Sequence, residues 1–251
     1  MENYLFKKSY RLNNFSKISY KSLWGAKGIF TTVRIYGNFN NLILIEDHIK
    51  RFNHSAKKTN INFRLSKKII FELTKAYITL NSYDHLLRIA CNKKILSISL
   101  RKRKKISKNF SVELVAYQRA LPKIKNLKYK KILKLQKNIN LKNQEIIFYN
   151  KHSLLEGSTS NIIAVKNDFL YIPKDNYYFG TTLNYLMKQS QMKVLKQNIR
   201  LRDLQQFSEI LLVGSGKGVV SVDLIKNINW KRSSIKIYKR LMSLYKNLLV
   251  Q

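Results

Sequence analysis

Apolar residues in this chain come in short runs, each closed within a few positions by a turn former or a charge. The longest, such as Ile146 to Tyr149 and Ile210 to Val213, fall far short of the roughly 18 to 20 residues a membrane-spanning helix needs. The core must therefore come from short strands and amphipathic helices. GIFTTVRI, Gly28 to Ile35, is rich in β-branched and aromatic residues. Tyr36-Gly37-Asn38 then supplies a turn and Leu42 to Ile45 a second strand-like run, so a hairpin is expected. Asp47 is the expected N-cap of a helix over 48–59, where Ile49, Phe52 and Ala56 recur at helical spacing. A second helix is expected over 67–80, paired strands over 86–92 and 95–101, and a further strand over 110–117.

Pro122 is one of two prolines and follows that strand, which makes its neighbourhood the expected linker. The expected organisation is a small N-terminal domain, 1–118, a linker, 119–124, and a C-terminal domain, 125–251. The second part reads as a helix over 128–138, strands over 145–149, 160–165 and 169–172, and a helix over 182–197. A strand over 209–213, the glycine-rich Gly214 to Gly218 and a closing helix over 235–249 complete it. The class is mixed α+β and α/β in two domains.

The net charge of +36 raises the question of a nucleic-acid partner. Of the 49 basic residues 37 are lysine and 12 arginine, spread over almost every segment, whereas phosphate and base recognition favours the arginine fork. Lysine, asparagine and isoleucine are all abundant, and all have A/T-rich codons, so genomic bias accounts for the excess. The run Arg101 to Lys105 reads as a solvated loop, and no zinc-finger, RNP or helix-turn-helix pattern accompanies it. A nucleic-acid or membrane partner is not expected, though a basic nucleic-acid-binding protein remains the rival reading from another class. The N-terminus lacks the pattern of a secretory signal, and the lone Cys91, in a strand-like run, can form no internal disulfide. Both suggest a cytoplasmic protein.

Several segments, in order from Trp24 to Ile225, together resemble the class IV aminotransferase family of pyridoxal 5′-phosphate enzymes. They are GIFTTVRIYGNFNNLILIEDHIKRFNHSA with its His-x-x-Arg, LPKIKNLKY, LLEGSTSNIIAV, YFGTTLNYLMK and SEILLVGSGKGVVSV. The resemblance implies fold type IV, with a small N-terminal α/β sandwich and a larger barrel-like C-terminal domain. It also implies a homodimer acting on a small-molecule substrate. On it, Lys125 is the lysine that carries the cofactor and moves the proton, with Lys123 and Lys128 as neighbours. Such a lysine must be a free amine, well below the ~10.4 of a solvated side chain. Arg51 would bind the phosphate, since a guanidinium makes bidentate bonds to phosphate oxygens. Glu156 would pair with the pyridine nitrogen, keeping the ring an electron sink. Thr181 and Thr182, at a helix start, and Ser215, in the glycine-rich turn, would complete the phosphate site. Tyr129 could reach the ring hydroxyl or simply pack at a helix start. Leu183 stands where the family often has an arginine.

The resemblance implies one of three activities: branched-chain aminotransferase, D-amino-acid aminotransferase, or aminodeoxychorismate lyase. Phe30-Thr31-Thr32-Val33-Arg34 looks like the lyases' Phe-Thr-Thr-x-Arg, and the short chain also suits a lyase. The segment Cys91 to Ser97 lacks the Arg-Gly-rich loop of some lyases. The lyase reading is preferred, with the aminotransferases as its alternative.

Overall fold

The computed structural model describes residues 4–250, and contacts divide the chain into two units. The first comprises Met1–Arg103 and Ile124–Lys130. It begins with β1 (Tyr4–Arg11), β2 (Lys17–Ile18) and β3 (Gly28–Gly37), followed by α1 (Ile45–Lys58) and α2 (Lys67–Thr74). Then come β4 (Tyr83–Asn92) and β5 (Ile95–Lys102), and the strands form an antiparallel sheet in the order β2-β1-β5-β4-β3. Asn92 sets the β4–β5 turn, its side-chain oxygen accepting from the N–H groups of Lys94 and Ile95 at 2.8 Å each.

Alternation along β3 sends Ile29, Val33 and Ile35 into a core shared with β4, β5 and the helices. The matching stripe of α1 is Ile45, His48, Phe52, Ser55 and Ala56, spaced by three and four residues. Glu46 and Asp47 in its first turn and Lys57 and Lys58 in its last complement the helix dipole. The run expected as a second hairpin strand, Leu42 to Ile45, makes only an isolated bridge, Leu42 to Ile35. Leu44, left-handed at φ 56, turns the chain directly into α1, so Leu44 rather than Asp47 is the N-cap.

The second unit comprises Lys104–Lys123 and Lys131–Gln251. Its elements are β6 (Asn109–Ala116), α3 (Lys130–Gln136), β7 (Gln144–Asn150), β8 (Ser153–Gly157), β9 (Asn161–Lys166) and β10 (Phe169–Ile172). They continue with α4 (Thr181–Gln189), β11 (Val194–Lys196), β12 (Glu209–Gly214), β13 (Gly218–Ile225), β14 (Trp230–Lys231) and α5 (Lys236–Leu249). The main sheet runs β11-β10-β9-β12-β13-β6-β7-β8, with β14 paired to β13. Among the described residues the β13–β6, β6–β7 and β10–β11 pairings are parallel. Ile237, Leu241, Tyr245 and Leu248 lie in the buried stripe of α5, which packs on β13, α4 and β12.

These pairings move the expected domain limits. β6, expected to close the N-terminal domain, lies between β13 and β7 in the second sheet, so 104–123 belong to the second unit. Residues 124–130, expected as the end of the linker and the head of the C-terminal domain, group with the first unit. There Ile29 bridges Asn126, and the N–H of Leu127 donates to the Gly28 carbonyl at 2.9 Å.

Gly218 closes the β12–β13 turn at φ +71, and a Cβ there would sit 2.5 Å from the Tyr245 ring. Gly218→Ala is therefore expected to lower unfolding free energy by about 1 to 3 kcal/mol, through a left-handed alanine and a displaced ring. Urea denaturation measures it, and an unchanged midpoint would contradict the turn geometry.

Candidate active site

In the first unit, Lys125 lies along the edge of β3, its backbone carbonyl accepting from the Phe30 N–H at 2.9 Å. The backbone is thus fixed at the lysine itself, while the half-buried side chain places Nζ 5.0 Å from the centroid of the Phe30 ring. That ring also packs edge-on to Trp24 and Tyr129, at 4.9 and 5.2 Å between centroids. Tyr129 is thereby an aromatic packing partner in this wall. Arg88 of β4 completes it: its Cζ lies 3.8 Å from the Trp24 centroid and 5.5 Å from that of Phe30. Arg88 pairs across the sheet with Thr32, which places Phe30, Thr32 and Arg88 on one face. Arg34, the last residue of the Phe-Thr-Thr-x-Arg motif, is instead tied to Asp84 at 2.9 Å. Arg103 pairs with the same carboxylate.

Arg51 lies on α1, half-buried, one turn after His48. His48 is fully buried and shares a 2.7 Å hydrogen bond between its Nδ1 and the Thr31 hydroxyl. Burial, reinforced by the charges of Lys125 and Arg51, lowers its pKa to about 3. Lys125 and Arg51 thus act electrostatically on one neutral imidazole, and His48 leaves the positive charge to them.

In the second unit, Glu156 ends β8 in a buried two-pronged ion pair. Arg119 Nε donates to Oε1 at 2.7 Å and Nη2 to Oε2 at 2.8 Å. Oε2 also accepts from the Tyr178 N–H at 3.3 Å. An ion-paired carboxylate in one fixed rotamer is the acceptor a protonated pyridine nitrogen requires. Thr181 and Thr182 are the buried first residues of α4, whose N-cap is Gly180. Asn161 holds that helix end, accepting from the Gly180 N–H at 3.0 Å and donating to the Tyr178 carbonyl. A Cβ on Gly180 would sit 2.5 Å from the Asn161 oxygen, so only glycine allows this approach. The outward-pointing N–H groups of a helix's first turn and its positive dipole end favour phosphate. Ser215 sits in the tight turn between β12 and β13, closed by a 3.1 Å bond from the Lys217 N–H to the Gly214 carbonyl.

The donors and acceptors present fit pyridoxal phosphate: an amine, a clamped carboxylate, a glycine-opened helix start and a hydroxyl-bearing turn. A family model described as amino-transferase class IV matches residues 28–225. The chain belongs to this family. Class IV aminotransferases are pyridoxal-phosphate enzymes, so this protein is one, with the type IV fold. A candidate branched-chain-amino-acid aminotransferase of Methanocaldococcus jannaschii is 23% identical over 224 residues, spanning 78% of this chain and 77% of that protein. The branched-chain aminotransferase of Thermoproteus uzoniensis, solved with norvaline, superposes with a TM-score of 0.80 at 18% identity, covering 97% of this chain and 95% of that one. A candidate 4-amino-4-deoxychorismate lyase from Legionella pneumophila does so with 0.73 at 19%, covering 88% and 91%. Identities this low establish the shared class IV fold alone.

Arg88, Arg119, Asn161 and His48 are further candidate residues that the sequence expectations do not include. Arg119 sits beside the expected linker, yet a buried arginine in a loop announces itself only through its partner, Glu156. His48 was visible in the His-x-x-Arg pattern, whereas its neutrality follows from burial. An unfolded chain takes up a proton on this histidine below about pH 6.5, while the native state refuses it down to about 3. Stability is therefore present above that window and lost as the pH falls through it, at up to about 1.4 kcal/mol per pH unit. His48→Asn is expected to flatten the fall in urea midpoint between about pH 7 and about pH 4.5. A fall as steep as the wild type's would refute the buried neutral imidazole.

Proposed function

We propose that this enzyme is an aminodeoxychorismate lyase, converting 4-amino-4-deoxychorismate to 4-aminobenzoate and pyruvate. The observation that carries the reading is the Phe30 ring with an amine and a guanidinium beside it, Lys125 Nζ at 5.0 Å and Arg88 Cζ at 5.5 Å. An amine that also bears carboxylates matches that pairing, because a guanidinium grips a carboxylate while the lysine amine exchanges with the substrate's nitrogen. Phe30 and Thr32 on the same face are the residues in which the strand resembles the lyases.

In this reading Arg51, Thr181, Thr182 and Ser215 hold the phosphate and Glu156 faces the ring nitrogen. Bound pyridoxal phosphate supplies the conjugated ring that accepts the electron pair released at the substrate carbon. Lys125 Nζ takes the proton from the carbon bearing the substrate's nitrogen. The adjacent ring carbon–oxygen bond then breaks, its electron pair leaves with enolpyruvate, which takes up a proton to become pyruvate, and the carbocycle becomes aromatic. Arg88 orients the substrate through a carboxylate, and Arg119 keeps Glu156 in its working rotamer. A cytoplasmic homodimer belongs to the same reading. No helix among the described residues is long and apolar enough to cross a membrane.

A second reading, a branched-chain or D-amino-acid aminotransferase, is favoured by the M. jannaschii relative and the T. uzoniensis superposition. There Lys125 takes the same proton, but no carbon–oxygen bond breaks and the amino group passes to a 2-oxo acid.

Purified protein is expected to absorb in the visible, to lose that absorbance on borohydride treatment with the label on Lys125, and to lack it as Lys125→Ala. Colourless protein that takes up no pyridoxal phosphate would end the assignment of these residues. Incubation with 4-amino-4-deoxychorismate is expected to yield 4-aminobenzoate. Arg88→Gln is expected to raise KM about tenfold or more, with a smaller change in kcat. Turnover confined to branched-chain or D-amino acids with 2-oxoglutarate would overturn the lyase reading in favour of its alternative. Salt-sensitive nucleic-acid binding at physiological ionic strength would favour the basic-protein rival.

A further inference from the structure

Lys217, in the Gly214 to Gly218 turn, behaves unlike a lysine at a hairpin tip. Its side chain is only 9% exposed and reaches Glu145 Oε2 at 2.9 Å, a carboxylate that is itself fully buried in β7. The ammonium also donates to the Thr159 hydroxyl at 2.7 Å, and Nζ stands 5.4 Å from the Phe110 ring centroid. Thr159 in turn donates to Glu145 Oε2 at 2.9 Å, and the Ser158 and Ser160 hydroxyls donate to the same carboxylate. Where the two turns approach, a Cβ on Gly214 would stand 3.3 Å from the Thr159 carbonyl. Ordering a lysine costs rotamer freedom, and burying an ion pair costs desolvation. Here both costs are spent on joining the β12–β13 turn to the 158–160 turn, while the ammonium points at Glu145.

We propose that Lys217 is a positioning residue for the phosphate turn: through Glu145 and Thr159 it locks the Ser215 turn against the 158–160 turn, and thereby sets affinity for the phosphate. The inference rests on the reading that Ser215 meets the phosphate. Burial alone would push the Glu145 carboxyl up, but the Lys217 charge and the hydroxyl bonds hold it below the ordinary carboxylate range. Removing Lys217 therefore strands a buried anion beside the turn.

The test titrates cofactor-free full-length protein with pyridoxal phosphate and with pyridoxal, which lacks the phosphate. Lys217→Met is expected to weaken pyridoxal phosphate about tenfold or more and pyridoxal less than about twofold. Adding Glu145→Gln, which removes the stranded charge but does not restore the tie, should recover stability to urea while leaving most of the loss in affinity. Lys217→Arg keeps the charge, and with it the fold, but exchanges a compact ammonium for a planar fork. It is expected to lose several-fold for pyridoxal phosphate alone. Equal weakening of both ligands would mean that Lys217 serves only the fold. Full recovery of pyridoxal phosphate affinity in the double variant would trace the loss to the stranded charge rather than to the tie. Either result overturns the proposal. Ser215→Ala separates the premise: if it leaves the ratio of the two affinities unchanged, the phosphate reading of this turn falls, and the positioning role with it. If it changes the ratio while the Lys217 variants do not, only the positioning role falls.

Discussion

A carboxylate taken out of water must find its solvation in the protein, and the second unit is arranged around three that do. Glu145, Glu156 and Glu209 are at most 5% exposed, in a chain with only 13 acidic residues. Each costs several kcal/mol to desolvate unless charges and donors surround it. Glu156 has Arg119 and the Tyr178 N–H, and Glu145 has Lys217 and three hydroxyls. Glu209, in β12, accepts from the N–H groups of Ile237 and Tyr238 at 2.8 Å each and from the Ser234 hydroxyl at 3.0 Å. The last set is the start of α5, so a strand carboxylate caps a helix whose N-cap residue, Ile235, offers no side-chain bond. Shifting any of the three would leave a buried anion without its donors. The turns that bear Thr159, Tyr178 and Lys217 are thereby fixed in place.

Local patterns were legible wherever a residue's neighbours in sequence are also its neighbours in space. The β4–β5 pair, β7, β12 and α5 lie where alternation and helical spacing put them. What could not be read was partner choice. β6 reads as a plain alternating strand, and nothing within it says that its partners are β7 and β13, both parallel and distant in sequence. That is why 104–118 were expected in the N-terminal domain, whereas contacts group them with the second unit. β1 was missed because its edge-like pattern, Tyr4–Arg11 with two buried positions, carries little apolar signal. The helix expected over 182–197 ends at Gln189, and Val194–Lys196 forms a strand beside β10, a choice made by the open sheet edge rather than by propensity.

Within the site, legibility followed the same line. Glu156, Thr181, Thr182 and Ser215 are expected only through their flanking residues, and they lie near a strand end, at a helix start and in a turn. Lys125 is one of 37 lysines, and its own residue type says nothing. Its backbone bond to Phe30 distinguishes it in space. The sequence does not show which partner each of these groups finds: Arg119 holds the Glu156 carboxylate, Asn161 the Gly180 N–H, and Thr31 the His48 imidazole.

Cys91 lies near the end of β4, an inner strand of the first sheet, fully buried, and burial pushes its thiol up to about 12. It is the chain's only cysteine, and at physiological pH almost none of it is thiolate, so it is a poor target for alkylating reagents and peroxide. The native protein is thus chemically silent towards thiol reagents. A cysteine placed at any exposed position would be its one reactive thiol, ready to carry a fluorophore or spin label without first removing a native residue.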